Sequence, residues 1–193
     1  MSKISPLAFI DPEAKIGENC EIGPFCFIDK NVEIGDNNVL MNSVSVLYGA
    51  RIGNGNVIFP GAVISAVPQD LKFRGEDTTA EVGDNNKIRE NVTINRGTAA
   101  KGKTCVGSGN LLMESVHVAH DAFVGNDCII GNGTKLAGEI IIDDHAIISA
   151  NVLMHQFCRV GGYTMVGGGT RFSQDIPPYT ICCLLYTSPS PRD

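Results

Sequence analysis

The chain has 193 residues, enough for one domain with a continuous core, and carries a formal net charge of −6. That charge argues against a surface built to coat nucleic acid, and no apolar run is long enough to span a membrane as a helix. Hydrophobic residues make up 43% but aromatics only 6%, with 22 Gly and no Trp, a balance that suits small aliphatic core residues and many tight turns.

Met1-Ser2-Lys3 leads straight into patterned sequence, so no secretory leader is expected and the cytoplasm is the expected compartment. From Ile4 every sixth residue is a large aliphatic: Ile10, Ile16, Ile22, Ile28, Ile34, Leu40, Val46, Ile52, Ile58 and Ile64. Four residues after each of these sits a second slot, filled mostly by small side chains such as Ala8, Ala14, Cys20, Cys26 and Ala62. Gly, Asp and Asn crowd the corners between, as in Ile34-Gly35-Asp36-Asn37, where turn geometry excludes β-branched residues.

A period of six fits neither a helix nor simple strand alternation. It fits a short strand plus a corner, three of which close an 18-residue triangular coil. Stacked coils pair each strand with the one below at roughly 4.8 Å and bury the aliphatic residue between neighbours. The predicted fold is therefore all-β, a parallel β-helix of hexapeptide repeats spanning residues 1–181.

Two segments interrupt the repeat. Residues 66–79 (AVPQDLKFRGEDTT) carry Pro, Gly and charges, and residues 99–104 (AAKGKT) are short and basic. Both are predicted to be loops ejected from the prism, where function commonly sits. The phase returns at Val82, Ile88 and Ile94, then runs from Val106 to Phe172. After Pro177-Pro178-Tyr179 the repeat stops, and residues 182–193 are predicted to be an irregular, non-native tail.

Seven Cys include no CxxC pair. Cys20, Cys26, Cys128 and Cys158 fall in the small-residue slots, so packing explains them better than metal or disulfides.

The four His all lie in the second half: His117, His120, His145 and His155. His120 stands off both core slots with Asp121 beside it, an arrangement suited to a general base. Eighteen-residue arithmetic stacks Gly138 and Gln156 in the His120 column, so an unshielded Gly138 amide could hold an oxyanion there. The same arithmetic puts Ala99 and Lys135 beside His117, and Gly102 and Gly138 beside His120. No column of His forms, and no metal or other cofactor is expected.

Four motifs then stand together: Gln69-Asp70-Leu71-Lys72-Phe73-Arg74-Gly75-Glu76, Ile88-Arg89-Glu90-Asn91-Val92-Thr93-Ile94-Asn95-Arg96-Gly97-Thr98, His117-Val118-Ala119-His120-Asp121 and Met154-His155-Gln156-Phe157-Cys158. Their combination resembles the acyl-carrier-protein-dependent UDP-N-acetylglucosamine O-acyltransferases of lipid A biosynthesis, over about residues 4–181. The resemblance implies left-handed winding, a cytoplasmic homotrimer with sites between prisms, and a C-terminal helical domain, which is expected to be missing from this sequence. It implies that His120 deprotonates the glucosamine 3-hydroxyl, Asp121 orients it and the Gly138 amide holds the thioester oxygen. Asp70, Lys72 and His117, with Gln69 close by, would contact the sugar nucleotide, and His155 and Gln156 would line the cleft. Gly168 matches the position that measures acyl length, where a glycine leaves room for a long chain. Lys101, Lys103, Arg159 and Arg171 would offer a basic surface to the acidic carrier protein.

The chain departs from the pattern at Glu139, where the family often has His, and at Asn95, where some members have His. Two alternatives stay open on residues alone: another hexapeptide-repeat acyltransferase using a CoA donor, or a non-catalytic structural β-helix.

Overall fold

A computed structural model describes residues 2–183 of the protein. Its strands are short, most of them two residues, and every pairing is parallel. They form three sheets, the faces of a left-handed triangular prism. The first face starts at Lys3–Ile4 and has ten strands among the described residues; the second starts at Phe9–Ile10 with nine, the third at Lys15–Ile16 with eight.

Register follows the six-residue rule. Ile4 pairs with Ile22, Ile10 with Ile28 and Ile16 with Ile34. Each repeat aliphatic points inward, and Ile28, Leu40, Ile58, Ile64, Ile88, Leu112, Ile130 and Leu136 are fully buried. Burial of one such side chain stabilises the fold by about 1.5–3 kcal/mol. Ile4 is 47% exposed because no coil lies beneath it.

The corners carry a left-handed residue in nearly every coil. Asn19, Asn37, Asn85 and Asp127 take φ of 55°, 58°, 56° and 53°, which Asn and Asp tolerate better than other side chains. Cys20, Cys26, Cys128 and Cys158 are buried in the small slots as expected, and burial pushes the Cys128 thiol up to about 11.

One column is a surprise. Asn38, Asn56, Asn86 and Asn110 occupy the small slot of successive coils, all at most 1% exposed. Each Oδ1 accepts the backbone N–H of the next rung, at 2.8 Å from Asn56 to Asn38 and 2.9 Å from Asn86 to Asn56 and from Asn110 to Asn86. The Nδ2 groups donate to carbonyls within the prism, such as Asn38 to Gly53 at 2.8 Å. A fully satisfied ladder lets amides replace aliphatics without an unpaired buried group.

Both interruptions are ejected loops, and they lengthen their coils by whole hexads. Asn86 bonds Asn56 across 30 residues and Asn110 bonds Asn86 across 24, against 18 in a regular coil. That is why the aliphatic phase survives both insertions. It also corrects the column arithmetic for His117: its lower neighbour is Thr93, not Ala99, while Lys135 lies above as expected.

The last described coil is shorter. Val166 pairs with Cys182, sixteen residues on, and Ile176 bridges to Val160. Losing two residues at this corner ends the hexad phase while preserving the stack. Cys182 is consequently a buried strand residue, so the prism runs one residue past the expected boundary. The remainder of the expected tail, 184–193, lies outside the described residues. Among the described residues no helix is long and apolar enough to cross a membrane.

Candidate active site

The edge between the second and third faces gathers the unusual features. Loop 66–79 leaves from it after strand Val63–Ala66, and the second loop leaves after strand Thr93–Asn95. His120 and Asp121 turn the same corner one rung higher, between strands His117–Val118 and Phe123–Val124. Three successive coils thus commit this edge to something other than closing the prism.

At the corner His120 Nδ1 lies 2.8 Å from Asp121 Oδ2. The Asp121 side chain is fully buried, while that of His120 is 18% exposed. Thr98 donates its N–H to Asp121 Oδ1 at 2.9 Å and its hydroxyl to Oδ2 at 2.6 Å. The Asp121 N–H donates to Thr104 Oγ1 at 2.8 Å. Burial alone would push the Asp121 carboxyl up, but the Thr98 and His120 hydrogen bonds outweigh it and hold the group below its usual value. The carboxylate is therefore ionised at neutral pH and can only accept, so His120 Nδ1 donates to it and Nε2 is the ring nitrogen left to face a substrate.

Gly138 packs directly against this ring. A Cβ at position 138 would sit 2.7 Å from His120 Cε1 and 2.8 Å from Nε2. Only a glycine permits that approach. The Gly138 carbonyl accepts the Phe157 N–H at 3.2 Å, and its own N–H has no acceptor among the described residues. Gln156 stands one rung above Gly138, as the strand register requires, and is exposed.

His117 lies on the second face beside this corner, with Nδ1 2.7 Å from Thr93 Oγ1. Burial, then the nearby Lys135 and His120, lower its basicity, so the ring is neutral at physiological pH. His155 is exposed at the upper end of the same face, its Nδ1 3.2 Å from the Gln156 carbonyl. Gly168 is exposed on a different edge, between the first and second faces, with the second face separating it from His120.

Gln69, Asp70 and Lys72 lie on loop 66–79, where Asp70 Oδ1 accepts the Lys72 N–H at 2.9 Å. No hydrogen bond or ion pair joins these three to the His120 corner among the described residues. The single chain brings together His120, Asp121, Gly138 and His117.

Sequence reasoning missed Thr98 and Thr104, the two residues that flank the second loop and grip Asp121. Their signal was their position as the loop's endpoints. Glu139 lies 3.9 Å from Lys101 Nζ, which also donates to the Asp121 carbonyl at 3.3 Å. Lys103 pairs with Glu81 at 2.9 Å and Arg159 with Asp143 at 3.0 Å. Of the four basic residues expected to meet a carrier protein, only Arg171 has no acidic partner among the described residues.

The Thr98 contacts yield a pH-dependent prediction. A depressed carboxylate stabilises the fold above the ordinary value of about 4, and that contribution is lost as pH falls through the folded-state value. Thr98→Val removes the hydroxyl donor and costs about 1.5 kcal/mol at pH 7. The difference from wild type shrinks toward acid pH. Urea unfolding at pH 7 and in the acid range checks this; a pH-independent difference would contradict it.

No protein-family model matches the chain. Solved structures do. The LpxA UDP-N-acetylglucosamine acyltransferase of Bacteroides fragilis 9343 is 75% identical over 92% of this chain and 70% of its own, with a TM-score of 0.91. The chain belongs to this acyltransferase family. The Francisella novicida UDP-N-acetylglucosamine acyltransferase is 42% identical over 94% of this chain and 67% of its own, with a TM-score of 0.93. LpxA from Acinetobacter baumannii is 40% identical over 96% and 71%, with a TM-score of 0.92. The acyltransferase described here thus spans about 70% of the length of these relatives. It is an O-acyltransferase by family, and the left-handed β-helix is the part it shares with them.

Proposed function

We propose that this protein transfers a 3-hydroxyacyl chain from acyl carrier protein to the 3-hydroxyl of UDP-N-acetylglucosamine, the first step of lipid A biosynthesis. The observation that carries the chemistry is the His120–Asp121 pair, 2.8 Å apart, with its ring pressed onto Gly138. His120 Nε2 removes the proton of the sugar hydroxyl as the oxygen attacks the thioester carbonyl carbon. Asp121 stabilises the imidazolium that forms. The Gly138 N–H stabilises the tetrahedral oxyanion. Collapse breaks the carbon–sulfur bond, and the departing thiolate takes the proton from His120. The balance needs no cofactor.

In this reading Asp70, Lys72 and His117, with Gln69 adjacent, bind the sugar nucleotide, and His155 and Gln156 line the cleft. The protein acts as a cytoplasmic homotrimer, with loop 66–79 supplying Asp70 and Lys72 across the interface. This accounts for the lack of a hydrogen bond or ion pair from Asp70 or Lys72 to the His120 corner among the described residues of one chain. The second face, bounded by the His120 edge and the Gly168 edge, carries the acyl chain, and the open Gly168 position selects a long one.

Donor competition tests the reading. Matched 3-hydroxyacyl thioesters of acyl carrier protein and of CoA are offered with UDP-N-acetylglucosamine, and transfer is measured directly. Carrier-protein donors are expected to dominate; equal use of CoA would move the protein to the CoA-dependent class.

A further inference from the structure

We propose that Tyr48, Arg96 and Phe73 form a stack whose task is to position loop 66–79 for acceptor binding. The inference rests on the reading that Asp70 and Lys72 on that loop contact the sugar nucleotide. The three residues come from distant parts of the chain: a third-face approach, the exit of the Thr93–Asn95 strand, and the middle of the loop itself.

The Arg96 guanidinium lies between two rings, 5.6 Å from the Tyr48 centroid and 5.4 Å from that of Phe73. Its Nε is buried with no hydrogen-bond partner, and no acid pairs with it among the described residues. Ring faces, rather than a carboxylate, therefore set where the guanidinium sits. Phe73 is the residue after Lys72, so the stack fixes the loop immediately beside a proposed ligand contact.

The rest of the loop is tied to the same three elements. The Arg96 N–H donates to the Ala66 carbonyl at 2.9 Å, and Asn95 Nδ2 donates to the Val67 carbonyl at 2.6 Å. The Tyr48 hydroxyl donates to Asp77 Oδ1 at 3.1 Å, and Ser65 Oγ donates back to the Tyr48 carbonyl at 2.7 Å. The loop's outgoing end is held by the Thr78 hydroxyl on the Gly97 carbonyl at 2.6 Å. Entry, middle and exit are each pinned to residues adjoining Tyr48 or Arg96. Asn95 is buried by these contacts, being only 2% exposed.

A loop ordered before the ligand arrives binds it without a further ordering cost. Loosening the stack should therefore weaken acceptor binding and leave the chemical step alone. Phe73→Leu and Arg96→Gln are expected to raise KM for UDP-N-acetylglucosamine about ten-fold, with kcat at saturating acceptor within about two-fold of wild type. Phe73→Tyr keeps the ring and should restore wild-type KM.

Lys72→Ala, run alongside, separates the two layers of the argument. Unchanged KM in Lys72→Ala would show that the loop does not touch the acceptor and would remove the underlying reading. Raised KM in Lys72→Ala, with Phe73→Leu and Arg96→Gln unchanged, would overturn the positioning role alone. So would a fall in kcat at constant KM. Phe73 lies on an ejected loop, so its variant tests the idea even if Arg96→Gln impairs folding.

Discussion

His120→Ala is expected to lower kcat about 10³-fold and to cost about 1.5 kcal/mol of stability at pH 7, as Thr98→Val does. The stability half follows from placement. The ring occupies neither core slot, so Val118 and Ala122 keep the prism packed, and what is lost is the hydrogen bond to the buried Asp121 carboxylate. The activity half follows from chemistry. A sugar hydroxyl is far too weak an acid to ionise at neutral pH, so attack on a thioester needs a base within hydrogen-bond reach. Asp121 is buried and its oxygens are engaged by Thr98 and His120, so it cannot take over that role. His117 is neutral but held on Thr93, at another position on the face. Transfer measured with carrier-protein donor and UDP-N-acetylglucosamine decides the matter. Equal activity in His120→Ala would remove the mechanism.

Gly138→Ala is expected to be nearly as damaging, about 10²-fold or more in kcat, for a steric reason. Gly138 is not in the left-handed region, so alanine meets no backbone strain. What it meets is the imidazole, with the new methyl 2.7 Å from Cε1. The ring must swing away, taking Nε2 from the reacting hydroxyl and lengthening the contact to Asp121. A Gly138→Ala enzyme with wild-type kcat would show that the ring does not need its present position.

Much of this was legible because the repeat is so strict. One inward residue in six, with small or turn-forming residues at fixed offsets, leaves few ways to fold, and each residue's rung and face can be counted from the sequence. Counting placed Gly138 and Gln156 over His120 and assigned four cysteines to packing. It failed where the coil length changed. An insertion of whole hexads is invisible to the hexad phase, so His117 was matched with Ala99 when Thr93 is its neighbour. A corner short by two residues hid the strand at Ile181–Cys182.

The sequence by itself thus determined the period, the inward and outward faces and the identity of the His–Asp corner, because these depend only on residue spacing. Left-handed winding came from resemblance and from the structure, since periodicity does not distinguish one hand from the other. Tertiary structure alone decided which residues support the corner. Thr98 and Thr104 grip Asp121, and Tyr48 meets Arg96 and Phe73, only because two loops of different length leave the same edge. Such contacts depend on where an irregular chain returns, and no repeat encodes that.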